Sequence, residues 1–161
     1  MSVKFKSEFQ AFVKPKLYSQ LSDFCKHLTS IEQQDVDLAE SFEKVLEKFQ
    51  SWIGSDYWLC SWGFYDKKQL KSDCELHKLP TSWLRNHISI KHQHGGMLKE
   101  KLEKAGKPQS EIKRVERGVG MEKALKMLDI PLEGTHHRGI DDARNIAKVF
   151  VAIFDDLKFK L

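Results

Sequence analysis

An α/β fold follows from three patterns in this 161-residue chain. Apolar residues recur at three- and four-residue steps over 42–53 and again over 140–154, the period of a helix with one buried face. Tyr57 to Trp62 is a short apolar and aromatic run suited to a buried strand, and 87–91 alternates apolar with polar residues. These patterns interleave in the order strand, helices, strand, helix, strand, helix, helix. No internal repeat or low-complexity segment interrupts them.

Taken in order, the alternation of Val3, Phe5, Phe9, Ala11 and Val13 predicts a first strand. Residues 19–29 read as a helix with Leu21, Phe24, Cys25 and Leu28 on one face. A second helix over 42–53 turns Phe42, Val45, Leu46, Phe49, Trp52 and Ile53 inward, with Ser41 as its cap and Gly54-Ser55-Asp56 as its end. After the 57–62 strand, Gly63 turns the chain into a helix running through Leu70 and Cys74. Ile88 and Ile90 mark an edge strand over 87–91. Gly95, Gly96 and Pro108 divide the next stretch into loop, short helix and loop. A helix over 121–129 buries Met121, Ala124, Leu125 and Leu128, and Pro131 stops it. The last helix carries Ile140, Ala143, Ile146, Ala147, Phe150, Val151 and Phe154 on one face.

Composition narrows the class. Charged residues make up 31% and hydrophobic ones 40%, which excludes a disordered or membrane-embedded chain. No apolar run approaches the length of a spanning helix, and the lysine-bearing start does not read as a signal peptide. The length suits one domain, 1–161, with a real core. Cys25, Cys60 and Cys74 are odd in number and form no CxxC pair, so they read as reduced, mostly buried thiols of a cytoplasmic protein. The net charge of +4 is mild. Its distribution says more, because 91–117 holds Lys91, Lys99, Lys101, Lys104, Lys107, Lys113, Arg114 and Arg117 against Glu100, Glu103, Glu111 and Glu116. Such a segment supplies flexible cations for a phosphate backbone, and equally suits a solvated helix laced with Glu/Lys pairs.

The chemistry concentrates in GTHHRGIDDARNIAKV, residues 134–149. His137 sits in a loop flanked by Gly134 and Gly139, which reads as mobile without substrate. Asp142 follows in the first turn of the last helix, where the helix dipole favours a carboxylate. Together they pair an anionic metal ligand with a proton acceptor, the minimum for metal-assisted hydrolysis. Capping alone would also explain an Asp at a helix start. Asp66, after Tyr65 at a strand-to-helix junction, is a second candidate, for which a helix N-cap is the better reading on these residues alone. His87, His92 and His94 lie close together, but no cysteine or acid nearby completes a tetrahedral shell, so a zinc site is discounted there. Trp52, Trp58, Trp62 and Trp83 read as core and cleft walls.

The 134–149 stretch resembles the third motif of the DEDDh family of 3′→5′ exonucleases. It is nearest the branch that trims histone messenger RNA ends and small RNAs, with its bacterial sporulation-inhibitor relatives. EFQAFVKP (8–15) and LSDFCKHLTSI (21–31) resemble that branch's third strand and first helix, and SFEKVLEKFQSWI (41–53) its next helix. WLCSWGFYDKKQL (58–70) resembles the second motif, where an aromatic residue precedes a metal-binding Asp; Phe64 stands where members of the branch often carry another Asp. GVGMEKALKMLDIPLEGTHHRGIDDARNIA (118–147) matches the run into the third motif.

The resemblance implies a ribonuclease H-like mixed sheet flanked by helices. It also implies an Asp-x-Glu pair on a first strand, which does not occur ahead of 8–15, where Glu8 is the single acid in reach. The expectation is therefore an N-terminally truncated exonuclease domain without its first two strands. Asp66 and Asp142 would be metal ligands and His137 the base. A complete family member holds two Mg²⁺ or Mn²⁺ ions, and here at most one weak site is expected. Tyr65 would stack on a base, and Lys91, Lys113, Arg114, Arg117 and His136 would contact nucleic acid. The implied partner is a single-stranded 3′ end, RNA before DNA, with no membrane. Self-association or a partner chain is expected at an exposed sheet edge. The alternative reading is a non-catalytic relative that binds nucleic acid or protein.

Overall fold

Two short strands and the helix between them set the frame. In the computed structural model, which describes residues 5–158, strand β1 (Leu59–Ser61) pairs in parallel with β2 (His87–Ser89), placing Leu59 beside His87 and Ser61 beside Ser89. Parallel neighbours need a crossover, and helix α4 (Tyr65–Leu76) with a 3-10 turn at Ser82–Leu84 supplies it. Ahead of β1 come α1 (Asp23–Thr29), α2 (Gln33–Asp37) and α3 (Phe42–Ile53). After β2 come α5 (Ile90–Lys104), α6 (Gln109–Val115), α7 (Met121–Met127) and α8 (Gly139–Ala152), with a final 3-10 turn at Phe154–Asp156. No helix of the described residues is long and apolar enough to cross a membrane.

The apolar periodicity decides which faces close. Ile88 and Ile90 from the sheet side meet Met121 and Leu125 of α7 and Val149 of α8, with Ile153 just beyond it. Each such fully buried side chain contributes about 1.5–3 kcal/mol. A smaller cluster joins Phe42 and Leu46 of α3 to Cys74 of α4. Ser22 caps α1 through the Cys25 N–H at 3.2 Å, whereas Ser41, at the cap position of α3, makes no side-chain cap bond.

Several expectations change. The strand over 3–13 does not form among the described residues; a single parallel bridge joins Val13 to Glu40, and Val3 lies outside them. Without a neighbouring strand to complete a ladder, alternation alone does not make one. The loop, short helix and loop predicted from Lys91 are a helix of 15 residues, α5, running through Gly95 and Gly96. The reason is close packing: a Cβ on Gly95 would lie 2.5 Å from the Gly118 nitrogen and 2.8 Å from the Glu116 carbonyl oxygen. Gly95 is thus a notch that admits the 115–118 backbone, not a breaker. The predicted edge strand shortens to His87–Ser89 and is well covered, with Ile88 and Ser89 buried. Trp52, placed inward by period, is 43% exposed and donates to Ser7 Oγ at 3.0 Å. Helix α1 buries none of its residues, and Phe24 is exposed. Of the thiols, only Cys74 is buried, Cys60 being exposed.

Candidate functional site

The site begins with the turn that leads into α8. Asp141 and Asp142, in its first turn, reach back to the preceding loop: Asp141 Oδ2 accepts from the Thr135 N–H at 3.0 Å and Asp142 Oδ1 from the His137 N–H at 3.3 Å. Asn145, fully buried one turn later, accepts from the Glu133 N–H at 3.0 Å and donates to the carbonyls of Glu133 and Asp141, both at 2.8 Å. Gly134 takes a φ of 68°, and a Cβ there would lie 2.3 Å from Asp141 Cγ. Arg138 donates to the Ser30 carbonyl at 2.7 Å and stacks over Phe12. The loop expected to be mobile is therefore bonded along its length to α8 and to the N-terminal region.

This scaffold presents two imidazoles. His136 Nδ1 lies 2.9 Å from Asp142 Oδ1, and the His136 and His137 rings stack with centroids 3.9 Å apart. His137 has a φ of 71°, a left-handed conformation that a non-glycine residue adopts at a cost of about 1–2 kcal/mol. One ligand-capable atom from each of His136, His137 and Asp142 falls within 4.8 Å of the others. Asp66 is not one of this trio.

Helix α4 forms the opposite bank. Gly63, with φ 107°, turns the chain out of β1, and Tyr65 and Asp66 occupy the first turn of α4. Buried Ser61 braces this turn: its Oγ donates to the Gly63 carbonyl at 3.0 Å and lies 2.8 Å from His87 Nε2. With that hydroxyl proton spent on Gly63, the His87 ring is the donor to Ser61. Burial, reinforced by Lys67, holds the His87 pKa down against the opposing pull of Asp66.

Between the banks lies a cleft of 680 Å³ that Tyr65, Asp66, Lys91, His136, His137 and Asp142 all line, with Trp62, Ile146 and Phe150 as apolar walls. The structure thus brings together, from three distant segments, most residues expected at a site. Lys113, Arg114 and Arg117 do not line it; they are exposed on α6 and just after it. Glu8 does not line it either. Its two oxygens accept from Arg144 Nε and Nη2, each at 2.8 Å, and those bonds hold its pKa down. His92 sits 2.6 Å from Ser89 Oγ, and His94 is fully buried with neither ring nitrogen hydrogen-bonded. Sequence reasoning missed Asn145 and Asp141, although an Asn on the apolar side of the final helix was the available signal.

The Exonuclease family model (RNase_T) matches residues 2–150. The nuclease domain of 3′hExo, a DEDDh family member bound to rAMP, superposes with a TM-score of 0.77 at 30% identity, over 95% of this chain and 76% of that one. This chain belongs to the DEDDh 3′→5′ exonuclease family. A second family structure, of a 3′-exonuclease recognising the histone mRNA stem-loop, superposes with a TM-score of 0.79 at 29% identity, over 95% and 51% of the two chains. The 3′-5′ exoribonuclease 1 of Rattus norvegicus is 32% identical over 166 residues, covering 96% of this chain and 44% of the relative. The chain therefore spans less than half the length of that relative. The fold of these family members is ribonuclease H-like, and this chain shares it. The family uses divalent metal ions.

Proposed function

We propose that this chain is the nuclease domain of an enzyme that degrades single-stranded RNA from its 3′ end, RNA before DNA, in the 680 Å³ cleft. The observation that carries the reading is convergence: the acids and imidazoles of two distant motifs line one cleft with an exposed aromatic and a lysine. Tyr65, 74% exposed, is placed to stack on a terminal base, worth about 1–3 kcal/mol without sequence preference. Lys91 offers a cation to the phosphate within the cleft. Lys113, Arg114 and Arg117 offer theirs outside it, to backbone that leaves the site.

The donor chemistry fits the hard ion the family implies. Asp142 and Asp66 would hold it, since Mg²⁺ and Mn²⁺ favour carboxylate oxygen. When bound, such an ion supplies Lewis-acid polarisation of a phosphoryl oxygen and a more acidic water. Two carboxylates support one weak site at most. His137 takes the proton from the attacking water, while His136, tethered to Asp142, stacks against it and contacts phosphate.

One observation favours the second reading, a relative that binds without cutting. Arg144 engages both carboxylate oxygens of Glu8, so that acid is not free to hold an ion. Among the described residues the sheet has two strands, so β1 keeps an edge without a strand partner. That edge is where a further strand, from a partner chain or a second copy, would pair.

The test uses the 161-residue chain with Mn²⁺ and single-stranded RNA. Binding is expected to be weak and to fall as salt rises, with degradation slow or absent. Supplying the Asp-x-Glu strand pair, fused or in trans, should restore 3′→5′ degradation. His137→Ala or Asp142→Asn should then abolish it with binding largely retained. Degradation by the unmodified chain that survives Asp142→Asn or a chelator would overturn the mechanism, and loss of RNA binding altogether would overturn the function.

A further inference from the structure

We propose that Phe64, backed by His92 and His87, is a stacking platform for a nucleobase of single-stranded RNA, next to the base held over Tyr65. Neither Phe64 nor the two histidines line the 680 Å³ cleft. The three rings form a cluster of their own: the Phe64 centroid lies 4.9 Å from that of His92 and 5.7 Å from that of His87, at interplanar angles of 33° and 46°. Phe64 is 47% exposed, so the imidazoles back its ring without covering it. The proposal rests on the RNA reading of the cleft and extends it by one base.

Chain neighbours fix where the platform stands. Tyr65 follows Phe64 and Lys91 precedes His92, and both Tyr65 and Lys91 line the cleft. Adjacent residues have Cα atoms about 3.8 Å apart, so a base over Tyr65 and a base over Phe64 can belong to neighbouring nucleotides. Two buried serines hold the backing rings. Ser61 and Ser89 are partners in the register of β1 and β2, and each bonds one imidazole: Ser61 Oγ lies 2.8 Å from His87 Nε2, and Ser89 Oγ 2.6 Å from His92 Nδ1. Rings fixed before RNA arrives lose little side-chain freedom on binding.

Charge decides which part of a nucleotide rests there. Lys91 adjoins His92 in the chain, and Lys67 lies near enough to His87 to help lower its pKa, so two cations for phosphate stand beside the rings. The 380 Å³ hollow that His92 also borders carries Glu100, Asp155 and Asp156. Their negative charge keeps phosphate out of that hollow and leaves the rings to an uncharged base. Every base has a π-face, so the platform adds affinity and a preference for longer strands without selecting sequence.

The test compares 5′-AMP, which reads the cleft, with a single-stranded RNA tetranucleotide, on the full chain with Mn²⁺. A phosphorothioate linkage at the 3′ end of the RNA blocks cleavage. Phe64→Ala should weaken RNA binding about 10-fold more than AMP binding, and Phe64→Tyr, which keeps the ring, should not. Making the RNA abasic at one position after another then locates the contact. One position should weaken binding to the unmodified chain by about 10-fold and have no further effect on Phe64→Ala. Far-UV circular dichroism checks that each variant is folded, and Phe64→Leu, which keeps the apolar bulk, replaces the alanine variant if that one is not. Equal weakening of RNA and AMP, or no abasic position coupled to Phe64, would overturn the platform and leave the RNA reading of the cleft standing. Failure of the unmodified chain to bind either probe would overturn both.

Discussion

Asn145 shows how one buried amide organises a site it does not enter. An unpaired amide in a fully covered position costs free energy, and Asn145 avoids that by closing three bonds onto Glu133 and Asp141. Those bonds fix the height of the loop above α8 and so the place of His136 and His137. Asn145→Ala should destabilise the protein by about 1–3 kcal/mol, because the Glu133 N–H and carbonyl lose their partner. Urea unfolding measures this, and a change under half a kcal/mol would show that water replaces the amide. The pairing of His136 with Asp142 belongs to the same scale. Residue spacing favours His137 as the imidazole beside Asp142, yet His137 meets that carboxylate through its backbone N–H while the His136 ring bonds it. A left-handed φ reverses which of two adjacent rings faces a given point, and spacing along the chain carries no record of it.

At the scale of elements, α5 is the instructive case. Gly95 and Gly96 lower helix propensity by about 1 kcal/mol each, which is why the segment reads as a loop. Only one of them is required by its surroundings. Gly95→Ala would drive a Cβ to 2.5 Å from the Gly118 nitrogen, a backbone atom that cannot step aside, whereas a Cβ on Gly96 meets nothing within 4 Å. Overpacking of that kind costs about 1–3 kcal/mol and outweighs the propensity gained. Gly95→Ala should therefore lower the melting temperature and Gly96→Ala should raise it. Equal effects of the two substitutions would remove the packing argument. Because Gly118 also sits against Lys91, with a Cβ there 2.4 Å from the Lys91 carbonyl oxygen, this contact helps position a wall of the cleft.

For the whole molecule, the pattern of shifted groups sets a response to acid. His87 and His94 have pKa values below the ordinary 6.5, chiefly through burial, so the folded chain binds fewer protons than the unfolded one once pH drops past that value. Their contribution is present above pH 6.5 and is lost as pH falls toward their lowered values. Glu43 adds a second window. Its hydrogen bond to His77, at 2.5 Å, is the main cause of a pKa held at about 2, against 4.5 ordinarily, so stability falls further between those two values. Stability measured by denaturant at a series of pH values should decline in two stages. His94→Leu should flatten the first stage by removing a titrating ring, and Glu43→Gln the second. A profile flat from pH 7 to pH 5 would contradict the burial of both histidines.

The sequence alone determined several of the chain's helices and its candidate chemistry. Periodicity is a local property, so 42–53, the helix after Gly139 and the strand ahead of Gly63 are legible from apolar spacing, whereas the motifs around Asp66 and Asp142 are legible through the family resemblance. Only tertiary structure decided what those pieces do to one another. Whether Phe5 to Val13 forms a strand depends on a neighbour to share its hydrogen bonds, and the described chain provides one bridge, at Val13. Whether Gly95 breaks a helix depends on the 115–118 backbone arriving against it. Whether Glu8 is available as a ligand depends on Arg144, 136 residues away, having already engaged both its oxygens. Contacts between distant segments obey sterics and charge pairing, which a linear pattern does not encode. For that reason the cleft that joins Tyr65 and Asp66 to the two histidines exists in the fold and nowhere in the spacing.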